Sequence, residues 1–205
     1  MGVQERERKV YRPLRRAGLE VIPGAVPKDT IPFCGGYDRE DVVGGFSHPY
    51  DTPKLVERLN ADWYELALSS GLLDDRREFL VMLPQGTRTH RAALRHQHDG
   101  GSAVWQWTRV RLLERWDIMG RGADTAFLGV YAGHPGFGML ALDGSVYLCC
   151  STGERGIDVL AVRQPDRSPH VLRHLEWLAA RDSPYVPRAF TTRIARWIEG
   201  RAPTA

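Results

Sequence analysis

Residues 78–84 read Glu-Phe-Leu-Val-Met-Leu-Pro, an unbroken apolar run closed by a proline, with Gly86 just beyond. Five apolar side chains in a row leave no side for water, and the run is too short for a buried helix. It predicts a strand covered on both faces, the habit of largely parallel sheets. Any fold for this chain must therefore supply a layer on each side of a sheet.

The rest of the chain can supply those layers. With 205 residues, 42% hydrophobic and 26% charged, it is long enough to bury a core as one domain. Collagen-like, low-complexity and disulfide-scaffold classes are excluded by composition. No stretch reaches the roughly 18 apolar residues of a membrane span. The charged start is followed by no apolar segment of the secretory kind, so a cytoplasmic protein with no membrane partner is expected.

Residues 1–76 read as an N-terminal extension and 77–205 as an α/β core. The extension opens with a basic helix ending near Gly18, then a brief strand from Leu19. From Gly24 to Pro53 the chain is dense in Gly, Pro and Asp and predicts a long loop or cover. Its aromatics Phe33, Tyr37, Phe46 and Tyr50 are candidates either to lid a pocket or to staple the loop to the core. A helix follows, with Thr52 as cap, Pro53 in its first turn, Leu55, Leu59, Trp63 and Leu66 at helical spacing, and Gly71 as its stop. In the core, a polar helix is predicted over 87–98 and a strand over 103–107. Strands then follow at 126–131, 138–142, 146–150 and 157–162, with amphipathic helices at 170–181 and 191–198. The order predicts a mixed, largely parallel central sheet flanked by helices.

Segment 136–144, Gly-Phe-Gly-Met-Leu-Ala-Leu-Asp-Gly, is followed by Ser-Val-Tyr-Leu-Cys-Cys-Ser-Thr at 145–152 and by a helix containing His-Leu-Glu-Trp-Leu at 174–178. From about Arg77 to Pro184 this pattern resembles one half of the phospholipase D superfamily, including the non-catalytic versions that serve as effector domains of prokaryotic transcriptional regulators. The resemblance puts Asp143 at the aspartate of the motif HxKxxxxD and Ser151 near the family's serine. It also implies that sandwich fold. Counting back from Asp143, the motif's nucleophilic histidine and its lysine fall on Gly136 and Gly138, which can neither attack phosphorus nor donate charge. The resemblance therefore implies a non-catalytic ligand-sensing or regulatory domain. The alternatives are a phosphodiesterase relying on His134 or a biosynthetic enzyme using residues 88–98.

Three of the 28 basic side chains are lysines (Lys9, Lys28, Lys54), so arginine carries the charge and the net is only +3. Arginine suits bidentate contact with phosphate or carboxylate. Gly86–Arg91 follows the buried strand and opens a helix, so Thr87 or Thr89 as cap and Arg88, His90 and Arg91 as donors form a candidate anion site. Ser151 and Arg155, around a turn between strands, are candidates for the same mouth. The expected partner is an anionic small molecule. Nucleic acid held by Arg6, Arg8, Lys9, Arg12, Arg15 and Arg16, a regulatory protein, or a second copy of the chain are alternatives.

No metal or cofactor is expected. There is no CxxC pair, no HExxH, no GxSxG and no nucleotide-triphosphate loop. His96 and His98 cannot share a helical face, and His170 with His174 predicts a surface pair. Cys34, Cys149 and Cys150 predict buried, reduced thiols. Trp105 and Trp107 alternate onto one strand face, either as a stacking platform or as core.

Overall fold

A computed structural model describes residues 11–85, 104–125, 127–181 and 187–201. In chain order the elements begin with helix α1 (Arg12–Arg16) and strand β1 (Leu19–Val21). A 3-10 turn (Arg39–Asp41), β2 (Val42–Pro49) and α2 (Leu55–Ser70) follow. Next come β3 (Glu78–Gln85), β4 (Val104–Leu112), a π-helical turn (Ile118–Gly122), β5 (Gly129–Tyr131) and β6 (His134–Pro135). The chain continues through β7 (Phe137–Leu140), β8 (Val146–Thr152), β9 (Gly156–Arg163), α3 (Pro169–Ala180) and α4 (Arg188–Arg201).

Seven strands form one sheet in the order β1-β4-β3-β7-β8-β9-β2, while β5 and β6 pair as a separate ribbon. Every pairing in the large sheet is antiparallel. This corrects the expected largely parallel sheet, and with it the phospholipase D-like sandwich. An apolar run reports burial on both faces and is silent about direction. Residues 141–145 join β7 to β8 and residues 153–155 join β8 to β9. A parallel crossover needs a dozen or more residues, so these links permit only hairpins.

The two-sided burial itself is as expected. Phe79, Leu80, Val81, Met82 and Leu83 are all buried. Phe79, Val81 and Leu83 face one core, and Leu80 and Met82 face the other. The first core is closed by α1, by α2 through Leu59, Trp63 and Ala67 at helical spacing, and by Trp116, Ile118, Met119, Phe127 and Leu128. Asn60 ties these together: its amide donates to Asp117 and its carbonyl oxygen accepts from Met119 N. The second core is closed by Val171, Leu175 and Leu178 of α3, by Ile194 of α4 and by the irregular strap 22–38. Both helices have a buried stripe and an exposed back, which places them as covers. No helix among the described residues is long and apolar enough to cross a membrane.

Three boundaries differ from the sequence expectation. Part of the anticipated 24–53 loop is the edge strand β2, with alternate residues half-buried and exposed. Gly44, Gly45 and Pro49 disguise that period-two pattern. Helix α2 starts at Leu55 behind a left-handed Lys54 rather than at a Thr52 cap, because the Thr52 amide closes a turn on the Pro49 carbonyl. The expected 126–131 strand shrinks to β5, and the expected 87–98 helix lies outside the described residues.

The second face also carries a charge cluster at the sheet's far corner. Glu78 is buried and accepts from Arg111, whose Nε lies at 3.1 Å, and from Arg109 Nε at 2.8 Å. Bonding to Arg111 and Arg109 holds its carboxyl below the usual glutamate range. A group whose pKa is depressed by folding stabilises the fold above its unfolded value, near 4.3, and loses that contribution as pH falls through the folded value. Glu78→Gln is expected to lower the urea midpoint at pH 7, with the gap to wild type closing as pH drops below about 4. A gap unchanged between pH 7 and pH 3 contradicts this role.

Candidate functional site

The register of the sheet sets a row of side chains across its second face. Trp107 of β4 pairs with Met82 of β3, and Cys149 of β8 pairs with Gly138 of β7 and Leu160 of β9. The β3–β7 pairing runs Leu80 to Leu140 and Val81 to Met139, so one step further sets Met82 beside Gly138. Where its neighbours carry thioether and thiol, β7 carries hydrogen. A Cβ on Gly138 would come within 2.9 Å of Tyr147 Oη, whereas a Cβ on Gly136 meets nothing within 4 Å. Gly138 thus makes room for the Tyr147 phenol, and Gly136 leaves open space.

That space is a cleft of about 330 Å³. Its floor is Met82 and the 136–138 segment with Tyr147, Cys149 and Cys150, and its walls are Trp105 of β4, Phe33 from the strap and Phe190 from α4. None of these side chains carries a formal charge. Phe33 and Phe190 meet edge to face, ring centroids 5.7 Å apart.

The strap is pinned so that Phe33 stays over the cleft. Trp107 Nε1 donates to the Ile31 carbonyl, and Trp197 Nε1 donates to that of Asp29 at 3.1 Å. Tyr37 Oη and Cys149 Sγ are hydrogen-bonded at 2.8 Å. Gly36, at φ 71°, lets the strap cross α3, since a Cβ there would lie 2.4 Å from His174 Cβ. At the strap's end, His170 Nδ1 lies 3.2 Å from Asp41 Oδ2, and its Nε2 lies 3.1 Å from Glu40 Oε1.

The titratable groups around this floor are held neutral. Burial pushes the Tyr147 phenol and the Cys34 thiol well above their usual values. It also raises Cys149, Cys150 and Tyr37. A protonated thiol is a weak nucleophile, so the cysteines contribute packing rather than reactivity. All three are free.

Of the site residues expected from sequence, those that are described do not converge on this cleft. The imidazole of His134 packs on the exposed Tyr131, centroids 3.8 Å apart, and stacks with Tyr50 at 5.1 Å. Tyr50 in turn donates to the Gly153 carbonyl, which puts His134 near the β8–β9 turn. Arg155 is exposed in that turn, and Ser151 is exposed on β8. Asp143 lies at the opposite end of the β7–β8 hairpin, accepting from the Ser145 hydroxyl at 2.6 Å and amide at 2.9 Å. Those bonds keep its carboxyl below the usual range and make it a turn-forming residue. Arg88, His90 and Arg91, with His96 and His98, lie outside the described residues.

His170 and His174 take different partners, the first on the 3-10 turn and the second between Phe33 and Trp177. No group of three or more His, Cys, Asp or Glu among the described residues is placed to hold a metal. Of the aromatics singled out from sequence, Phe33 and Trp105 line the cleft. Trp107 is buried behind it, while Phe46 packs on the α2 side. Met82 and Phe190 were missed. Met82 lay hidden in a run that read only as core, and Phe190 just ahead of the expected last helix.

No family model, curated protein or solved structure matches the chain.

The raised thiols have a direct consequence. Titration of the folded protein with a chromogenic disulfide at pH 7.5 is expected to label its cysteines about 100-fold more slowly than the urea-unfolded chain. Rapid stoichiometric labelling of Cys149 would instead mark an activated thiol.

Proposed function

We propose that this chain is a non-catalytic, ligand-sensing module whose second sheet face receives a flat, largely apolar small molecule. The observation that carries the reading is the glycine floor beneath aromatic walls: open space over Gly136, flanked by Phe33, Trp105 and Phe190. Binding pockets are concave and mostly apolar, with few polar groups to fix orientation. Here those groups are the Tyr147 phenol and the Cys149 thiol, both held neutral by burial. Neutral groups orient a ligand but do not attack it, and this favours recognition over turnover. The dispersal of His134 and Asp143 to different ends of the β7–β8 hairpin favours the same side.

A regulatory role fits the way the site is built. The walls come from three separate segments, the strap, β4 and α4, so a ligand between them couples elements distant in sequence. A ligand that binds only the assembled arrangement stabilises it by mass action.

The decisive variant is Gly136→Leu. Gly136 has no positive φ and a Cβ there meets nothing within 4 Å, so a larger side chain is expected to fill the cleft it lines. Calorimetric titration of wild type with a neutral planar probe, 2-naphthamide, is expected to show saturable binding. Gly136→Leu is expected to weaken it at least tenfold while shifting stability by no more than about 0.5 kcal/mol. Unchanged affinity in that variant, or no binding by wild type, rejects the cleft as the site.

A further inference from the structure

Arg193 lies three residues beyond Phe190 on α4 and, beside the cleft rather than in its lining, contacts all three wall segments. Its Nη2 donates to the Trp105 carbonyl at 2.7 Å and to the Pro32 carbonyl, next to Phe33, at 3.4 Å. Its guanidinium carbon is 5.4 Å from the centroid of the Phe190 ring. Only Nη2 is committed in these bonds. Its Nε is buried without an acceptor.

Among the described residues the charge also has no carboxylate partner, whereas arginine–carboxylate pairs are made by Arg109, Arg111 and Arg201. Arg193 has carbonyl dipoles and a ring face in place of a carboxylate. Burial pulls its pKa below the usual arginine value, although a guanidinium remains charged at neutral pH. A cation partly withdrawn from water and lacking a counter-ion is costly to the protein alone, and an arriving anion offsets that cost. The contrast with Glu78, whose two arginines satisfy it fully, shows how this chain treats a buried charge that serves the fold.

We propose that Arg193 is the anion anchor of the cleft, and that the ligand is a planar aromatic acid whose carboxylate pairs with the guanidinium while its ring lies between Phe33, Trp105 and Phe190. A carboxylate coplanar with its ring suits both a narrow aromatic cleft and the planar fork of arginine. This inference rests on the reading of the cleft as a binding site and adds the chemical class of its ligand.

The test compares 2-naphthoate with 2-naphthamide, two probes of one shape that differ in charge, by calorimetric titration. Wild type is expected to bind the naphthoate about tenfold more tightly, as a charge-assisted hydrogen bond allows. Arg193→Gln is expected to bind both probes alike, near the wild-type affinity for the amide. Arg193→Lys is expected to keep part of the preference, because it retains charge without the fork. Equal affinities in wild type, or a naphthoate preference that survives Arg193→Gln, overturn the anchor and leave the cleft reading standing. Loss of both probes in Arg193→Gln, with Arg193→Lys binding both alike, makes Arg193 a brace between the walls and also overturns it. If wild type binds neither probe, the cleft reading fails first and the anchor falls with it.

Discussion

Strand β3 has no residue between Phe79 and Leu83 that can be turned toward water. A pleated strand sends successive side chains to opposite faces, so five consecutive buried residues oblige the sheet to be covered twice. Each fully buried Leu, Val or Phe contributes roughly 1.5–3 kcal/mol, and neither cover can be left off without giving up several such terms. The rest of the architecture answers that demand. Helices α1 and α2 with residues 116–119 and 127–128 form one layer, and the strap with α3 and α4 forms the other.

The two layers are built differently, and the proposed function rests on the difference. The first rests on a helix of sixteen residues, with Trp63 fully buried against Trp116 at an edge-to-face centroid distance of 5.3 Å. The second is assembled from two amphipathic helices and an irregular strap held by indole donors, a phenol–thiol contact and the Arg193 bridge. Where that second layer crosses the start of β7, glycine takes the place of side chains and the cover stands off the floor. The resulting cleft combines aromatic walls and neutral polar groups, and the Arg193 guanidinium, with no carboxylate partner among the described residues, braces those walls from beside it. Such a combination suits the proposed recognition of a flat anion-bearing molecule better than acid–base or nucleophilic chemistry.

Much of the sheet was legible in the amino-acid pattern. Strands β3, β8 and β9 and helix α3 fall within a few residues of their expected bounds, because each has a strong apolar period or an unbroken apolar run. Direction was not legible in that run, since Phe79–Leu83 would read the same in a parallel or an antiparallel neighbourhood. The tight 153–155 link carried the missing information. Strand β2 was hidden by Gly44, Gly45 and Pro49, residues that read as loop yet suit an edge. The site was legible only in fragments. Trp105 and Phe33 stood out as aromatics in search of a role, but their meeting with Met82 and Phe190 depends on strand register and helix docking. Gly136 and Gly138 first read as missing catalytic side chains, and the structure turns that absence into space.

The most direct test of this account is residue-level NMR mapping of the isotopically labelled protein during titration with 2-naphthoate. The account predicts that the largest shift changes fall together on Gly136, Gly138, Cys149, Trp105 with its indole, Phe190 and the Arg193 side chain, with α2 and the β5–β6 ribbon left unperturbed. Shift changes centred instead on His134, Tyr50 and Tyr131, or spread evenly over both layers, would contradict it.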